Sequence, residues 1–547
     1  MSDTQRRQLL AGARITSLGT LASRVLGMLR DMATASLFGT GTVMDAFVIA
    51  FRLPNMFRRL FGEGAFAAGY LPVITARLIN NRREAWQLFS VTLFSLAAVL
   101  AIIVVFCEIV CGVLYWLYGD EESVSLLIGL SSVLLPYLFF ICIAAQLSAT
   151  LHAIGHFAWP AFVPVLLNLV WLLGVSIAAT WLPGDKHAQA YVLAVCVLLA
   201  GPLQLVPLLR EVREFGGRID YHWANSRPYL ERIVRTTGPM MLGLAIMQIN
   251  TLLDSLIAWS LAFDPNVSPR RGVAWLGDLV DYPLEVGAAS AIYFGERLYQ
   301  FPLGILGMAI ATAIFPLLSR HAADGKLDRV GIDLSYGLRL ALFLGLPASM
   351  GLMLMAEPIA RVLFERGEFG PDSTLRTARM IACYGAGVWA YCASAVLIRG
   401  YYALSDFRRP VVVGAWMVAA NLLMNLLLIW PLGESGLAVS TSLAAAVHVA
   451  LLGWLFSRHH VDLRWSKLRR TMLRTTVATI CMATATWSSL RAIGLGDDLT
   501  AKVVAVVVPI AAGVVVFAVA AWLLGLEEIK HLTLTRSDDR GSGTAGG

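Results

Sequence analysis

The chain is short of charge. Of 547 residues only 14% are Asp, Glu, Lys or Arg, against 58% hydrophobic, too little polar surface to cover a soluble globule of this size. It has no GxxxxGK[ST] run to cradle a nucleoside triphosphate and no HExxH spacing for a catalytic zinc. His459 and His460 sit in a basic stretch, and the adjacent acids Asp497 and Asp498 stand alone in a short connection. A membrane enzyme acting on polyprenyl phosphates would require clustered acids for Mg²⁺ or a His/Asp pair. Nor is there loop cysteine: Cys107, Cys111, Cys142, Cys196, Cys383, Cys392 and Cys481 all lie in apolar segments, as small packing residues rather than zinc ligands or disulfides. The start, MSDTQRRQLLAGARITSLG, lacks a compact apolar core followed by a small-residue cleavage site, so no removable signal peptide is expected.

What is present is long apolar runs from one end to the other. A spanning helix needs about 20 mainly apolar residues. On that measure the fold class is an all-α integral membrane protein of about fourteen spans, centred near residues 22, 55, 98, 138, 170, 200, 248, 305, 342, 390, 420, 446, 481 and 513. Basic residues cluster at Arg6, Arg7 and Arg14; at Arg77, Arg82 and Arg83; from Arg210 to Arg235; from Arg320 to Arg329; at Arg408 and Arg409; and in SRHHVDLRWSKLRR. The alternate connections read FGTGT, GDEES and PGDKHA, or offset their bases with acids, as around Arg270 and Arg271. The positive-inside rule therefore places both termini in the cytoplasm. The net charge of +7 reports this loop bias, not a nucleic-acid partner. The exception is Glu357 to Arg379, basic yet outside, which reads as an amphipathic helix on the membrane surface.

The halves repeat. LHAIGHFAWP at 151–160 and YYALSDFRRP at 401–410 align Ala153 with Ala403, Phe157 with Phe407 and Pro160 with Pro410, each pair 250 apart. Upstream, Phe51 and Pro54 align with Tyr299 and Pro302, and Pro72 with Pro316. Six spans per repeat is an even number, so the copies are related by an axis along the membrane normal. The expected organisation is an N-lobe over 1–215, a C-lobe over 216–460 facing it across a central cavity, two further helices over 461–528, and a disordered cytoplasmic tail over 529–547.

Charges inside spans mark the candidate site, because an Arg at mid-membrane costs about 2.5 to 3.5 kcal/mol unless it faces water or a partner. Arg24, Arg30 and Asp31 lie in the first span; Asp45, Arg52, Arg58, Arg59 and Glu63 in the second; Glu296 and Arg297 in the eighth. Guanidinium forks match phosphate oxygens, so an Arg-lined cavity suits a phosphate or pyrophosphate; local pairing, or snorkelling of Arg58 and Arg59, is the bland reading. A second polar set, Asp254, Asn421, Asn425, Ser440 and Thr441, offers the oxygens a small hard cation takes, or simply interhelical hydrogen bonds.

The run SRVLGMLRDMATASLFGTGTVMDAFVIAFRLPNMFRRLFGEGAFAAGYLPV from Ser23 to Val73 closely resembles the N-terminal signature of the MurJ (MviN) family, and ERLYQFPLGILGMAIATAIFPLLSRHAADG from Glu296 to Gly325 is a second match. These are lipid II flippases of bacterial peptidoglycan synthesis, within the multidrug/oligosaccharidyl-lipid/polysaccharide exporter superfamily. The resemblance implies substrate contacts from Arg24, Arg30, Arg58 and Arg297, with Asp45 as a further functional carboxylate. It also implies a lipid-tail groove on the last two helices, and sodium as a coupling ion at Asp254, Asn421, Asn425 and Thr441. Asn425 falls where a carboxylate can occur in the family. The function so implied is translocation of lipid II from the inner to the outer leaflet of the cytoplasmic membrane by alternating access, with no enzymatic step, no cofactor beyond that ion, and cell-wall synthesis proteins as candidate partners. The rivals are an exporter of drugs or of another polyprenyl-linked oligosaccharide, and the polyprenyl-phosphate enzyme. The long connection from Phe263 to Ser290 departs from the family and has no role legible in it.

Overall fold

The computed structural model describes residues 3–62, 65–264, 280–496 and 498–529. They form α1 (Asp3–Phe38), α2 (Thr42–Gly62), α3 (Ala65–Asn80), α4 (Arg82–Tyr118), α5 (Glu122–Ile154), α6 (Ala158–Trp181), α7 (Lys186–Glu214), α8 (Trp223–Ser260), α9 (Ala288–Pro302), α10 (Met308–Ala323), α11 (Leu327–Leu354), α12 (Ala356–Phe364), α13 (Pro371–Gly385), α14 (Val388–Ala403), α15 (Arg408–Leu432), α16 (Glu434–His459), α17 (Trp465–Ile493) and α18 (Leu499–Leu523). Helix is what lipid demands, since each segment must satisfy its own backbone groups there. Prolines lie inside helices, such as Pro54, Pro72, Pro136 and Pro347; each frees a carbonyl, which membrane helices tolerate where neighbouring groups or a local change of helix pitch re-satisfy it. Pro302 is followed by one π turn, Leu303–Gly307, which joins α9 to α10.

Every span centre expected from the sequence falls inside a helix or that π turn. Among the described residues ten helices are long and apolar enough to cross a membrane, or eleven if α13 and α14, bent by 41° at their break, count as one. The expected centres in α1, α2 and α17 are the ones that miss this test, and these are the helices carrying Arg24, Arg30 and Asp31; Asp45, Arg52, Arg58 and Arg59; and Lys467, Arg469, Arg470 and Arg474. The segment from Glu357 to Arg379, expected as one helix on the membrane surface, is not a single helix. Its first part is α12, packed against α13 and α18, with Arg361 bridging Glu357 at 3.0 Å and Glu365 at 3.8 Å; its second part is the start of the bent span.

By packing, the chain divides into a first unit, 1–290 with 366–369, and a second, 291–365 with 370–547. This is a division of contacts, whereas the boundary at 215/216 is one of sequence equivalence. In the first unit α2 packs on α5, α5 on α7, α6 on α1 and α7, and α8 on α2, α3 and α4. In the short connection after α8, Ala262 and Phe263 pair in parallel with Leu284 and Glu285. Most of the insertion beyond, 265–279, lies outside the described residues, as do Glu63, Asp497 and the tail from 530.

The second unit centres on Leu334, Leu338, Ala341, Val388, Val396 and Phe456. α17 packs on α18 and on α11, and the joint is polar: Arg339 Nε donates to Glu528 Oε1 at 2.7 Å and to Thr471 Oγ1 at 3.0 Å, while Nη2 reaches Glu527 at 2.8 Å. Glu528 is fully buried. A buried carboxylate needs such a partner, so Arg339 fixes where the chain leaves α18.

The repeat is visible as one turn built twice. Gly155 and Ser405, 250 apart, are both left-handed, at φ 92° and 58°. His156 N donates to Leu151 O, and Asp406 N to Tyr401 O, each at 2.9 Å. α6 starts at 158 and α15 at 408. Each turn is clasped by a His–carboxylate pair with the roles exchanged: His156 meets Glu211 at 3.2 Å, and Asp406 meets His460 at 3.0 Å.

Candidate functional site

Arg24 and Arg30 lie on one helix but in different surroundings. Arg24 is exposed and makes no hydrogen bond or ion pair with any described residue. Arg30 is 7% exposed. Its Nε and Nη2 donate to Asp31 Oδ1 at 3.0 and 2.7 Å, and Nη1 to Asn168 Oδ1 at 3.1 Å. The guanidinium lies over the Trp171 ring, 4.6 Å from its centroid. Asn168 Nδ2 in turn donates to Ser23 O at 3.0 Å, and Trp171 Nε1 to Thr34 Oγ1 at 3.0 Å. Arg30 is therefore the centre of a polar knot tying α1 to α6. Sequence reading missed its partners, although Asn168 is the lone amide in the apolar run VPVLLNLVWLLG.

Arg58 is half-buried near the end of α2, with Nε donating to Asn55 Oδ1 at 3.0 Å. Both Arg58 and Arg30 lie within electrostatic reach of the fully buried Tyr137 on α5, so these two cations share a neighbourhood. Arg52 donates to Thr251 O on α8 at 3.2 Å, and Arg59 to Gln248 Oε1 at 3.5 Å.

Asp45, in the first turn of α2, is 1% exposed. Its two oxygens accept from Gly287 N and Ser290 N, both at 2.7 Å. It thus caps the first turn of α9, where the unsatisfied amides and the positive end of the helix dipole favour a carboxylate. The structure gives Asp45 a positioning contact that its sequence neighbourhood does not announce, since both partners are backbone groups more than 200 residues on.

Arg297 belongs to the second unit. Nη2 donates to Tyr293 Oη at 2.8 Å, and the guanidinium stacks on that ring at 4.7 Å. Tyr293 is one helical turn back, an i, i+4 spacing that could have been read from YFGER. The candidate ion ligands divide likewise. Asp254, 3% exposed on α8, is in the first unit, with Asn250 Nδ2 3.5 Å from its Oδ2. Asn421, Asn425 and Thr441 are in the second, where Asn421 Nδ2 donates to Ser440 Oγ at 3.3 Å and Thr441 Oγ1 at 3.4 Å, Asn425 Nδ2 to Asn421 Oδ1 at 3.4 Å, and Ser440 Oγ to Asn425 Oδ1. Their oxygens are of the type a hard cation takes, and in this structure they bind one another.

Outside the membrane spans, burial works to raise the Asp406 carboxyl. Hydrogen bonds from the Arg409 side chain and backbone and from His460 outweigh it and hold Asp406 below the usual carboxylate range.

Chemically this is a set of fixed cations in an apolar helical scaffold, with Arg24 the exposed member. Known proteins match it along most of its length. The family model described as lipid II flippase MurJ matches residues 34–494. The protein named probable lipid II flippase MurJ of Vibrio cholerae serotype O1 is 34% identical over 465 residues, covering 82% of this chain and 83% of that protein. Among solved structures, one described as lipid II flippase MurJ in an inward closed conformation superposes with a TM-score of 0.72 at 20% identity, over 93% of this chain and 98% of that one. An inward-facing multidrug resistance MATE transporter of the MOP superfamily gives 0.63 at 16% identity, over 82% and 96%; both likenesses are of fold. On the family model and the Vibrio relative together, the chain belongs to the lipid II flippase MurJ family.

Proposed function

We propose that this protein carries lipid II, the undecaprenyl-pyrophosphate-linked disaccharide peptide, from the inner to the outer leaflet of the bacterial cytoplasmic membrane, with both of its termini in the cytoplasm. The observation that carries the reading is Arg24: an exposed guanidinium on a helix of this family's signature, with no protein anion to neutralise it among the described residues. A guanidinium stays charged at any relevant pH and its fork fits pyrophosphate oxygens. Arg297, pre-oriented by Tyr293, and Arg58 add charge of the same sign. Arg30 and Asp45 act through the helices they fix.

The repeat supports lobes over 1–215 and 216–460 as the moving parts of alternating access, with α17 and α18 as the groove for the polyprenyl tail. Translocation makes and breaks no covalent bond, so no catalytic residue is required of the chain. The drive comes from ions, membrane potential or consumption of lipid II outside; potential is worth about 2.3 kcal/mol per charge per 100 mV. Asp254, Asn421, Asn425 and Thr441 have the donor chemistry for sodium coupling. Cell-wall synthesis proteins are the partners this role implies.

The MATE likeness favours a drug exporter as second reading, but a cationic drug calls for acids where this chain presents arginines. The test is complementation of a strain depleted of its own lipid II flippase. Wild type restores growth, and Arg24→Ala at equal membrane level does not. Failure of a correctly inserted wild type refutes the assignment.

A further inference from the structure

Between α7 and α8 the chain runs without helix from Gly217 to His222, and α4 holds it there. Ser90 Oγ accepts from Asp220 N at 2.9 Å and lies 3.4 Å from Arg218 O, while Gln87 Nε2 donates to Asp220 Oδ2 at 3.1 Å. The Tyr221 ring packs edge-on against Phe94, with centroids 5.8 Å apart. Phe94 is the first large apolar residue of α4 to stand exposed, and from Ala101 to Tyr118 none of that helix is buried. Lipid covers a surface of that kind, so this strap crosses α4 where the lipid-covered face begins. Irregular backbone facing lipid is excluded from hydrocarbon, which sets the strap at the level of the headgroups.

Outward the strap shows Ile219 and Tyr221, and Trp223 follows at the start of α8; they are 67%, 52% and 45% exposed. Aliphatic and aromatic side chains together settle at a bilayer interface. The charge beside them is one-sided. Arg213 and Arg218 flank the turn at Gly216, where φ is 84° and Gly217 N donates to Val212 O at 2.8 Å. Both arginines are exposed, and neither side chain makes a hydrogen bond or ion pair with a described residue. The neighbouring acids already have partners: Asp220 meets Arg83 at 3.5 Å and His222 at 2.7 Å, Glu214 meets Arg210 at 2.8 Å, and Glu211 meets His156 at 3.2 Å. Guanidinium forks fit phosphate oxygens. Beside apolar side chains at headgroup depth, they suit a molecule that joins phosphate to hydrocarbon. A zwitterionic headgroup brings its own cation to that phosphate, whereas an anionic one leaves the charge to the protein.

We propose that the strap from Arg213 to Trp223 is a binding site for an anionic phospholipid, its phosphate on Arg213 and Arg218 and its acyl chains along Tyr221 and the bare face of α4. On the proposed topology this lipid belongs to the inner leaflet. The site lies apart from the cations assigned to the cargo, so it stands or falls independently of lipid II transport.

The experiment places Ile219→Cys, labelled with bimane, in a chain whose seven native cysteines are replaced by alanine. Liposomes contain phosphatidylglycerol and phosphatidylcholine in equal amounts, with bromine on the acyl chains of one or the other. Brominated phosphatidylglycerol is expected to quench the label at least about twice as strongly as brominated phosphatidylcholine. That preference is expected to shrink at high salt and to vanish in Arg213→Gln/Arg218→Gln. A bimane at Val105→Cys, on the exposed face of α4, reports insertion and is quenched alike by both lipids in every sample. Equal quenching at Ile219→Cys, or none, overturns the site, and so does a preference that survives loss of both arginines. Unlabelled lipid II, which carries the same phosphate chemistry, is expected to leave the quenching unchanged. Relief of quenching by lipid II would make the cargo the occupant and overturn the phospholipid.

Discussion

Arg24 and Arg30 stand six residues apart on α1, and replacing each with alanine separates binding from support. Arg30→Ala removes three hydrogen bonds and the contact with Trp171, and leaves Asp31, 5% exposed, without its guanidinium. Breaking a buried pair by deleting one partner costs about 3 to 5 kcal/mol, a large part of a typical folding free energy. Arg30→Lys recovers only part of this, because an ammonium cannot serve Asp31 and Asn168 as a planar fork does. Arg24→Ala removes no hydrogen bond or ion pair with a described residue, so its stability is unchanged while transport is lost. The assay is thermal denaturation of purified protein in one detergent, followed by a thiol-reactive dye on the buried cysteines, beside translocation at matched protein level. A several-degree fall for Arg30→Ala and none for Arg24→Ala is expected. If Arg30→Ala unfolds at the wild-type temperature yet cannot transport, Arg30 is a substrate ligand and the knot is not structural.

Asp45→Asn keeps one acceptor oxygen and turns an amide against the other N–H, so one of the two bonds to Gly287 and Ser290 is lost. It costs about 1 to 3 kcal/mol, measured by the same melt, and faster hydrogen exchange appears at the start of α9. Ser405 holds a conformation that glycine adopts freely, and Ser405→Gly raises stability by up to about 1 kcal/mol; a fall in the melt contradicts the turn as described. The depressed Asp406 carboxyl contributes stability that is complete above its unfolded pKa, about 3.9, and is lost as pH falls through its lower folded value. Wild type therefore loses stability more steeply than Asp406→Asn as pH falls through and below the unfolded value; identical slopes refute the clasp.

Helices were legible because lipid leaves the backbone no alternative, and the repeat because Pro160 and Pro410 sit just past turns of special geometry at Gly155 and Ser405. Arg24 was legible as a charge in an apolar run. What decides the role of Arg30 was not: Asn168 is 138 residues away. Asp45 was read as a functional carboxylate from its family position, but its partners are amides, and any residue has an amide. The stretch from Glu357 to Arg379 reads as one amphipathic surface helix because it is basic yet falls outside in the alternation of loop charge. The turn at 365–370, with Gly367 left-handed, breaks it into α12 and α13. His460 was read as loop charge, yet it clasps Asp406, an acid whose repeat counterpart is itself a histidine.

The central claim is tested most directly by the pure protein in liposomes carrying lipid II in the inner leaflet alone, with headgroup exposure outside followed by an impermeant lectin or protease. Wild type is expected to expose the headgroup, and Arg24→Ala and Arg297→Ala to leave it inside. Exposure no faster than in empty liposomes, from a protein that is folded and correctly inserted, would contradict the assignment of lipid II as cargo.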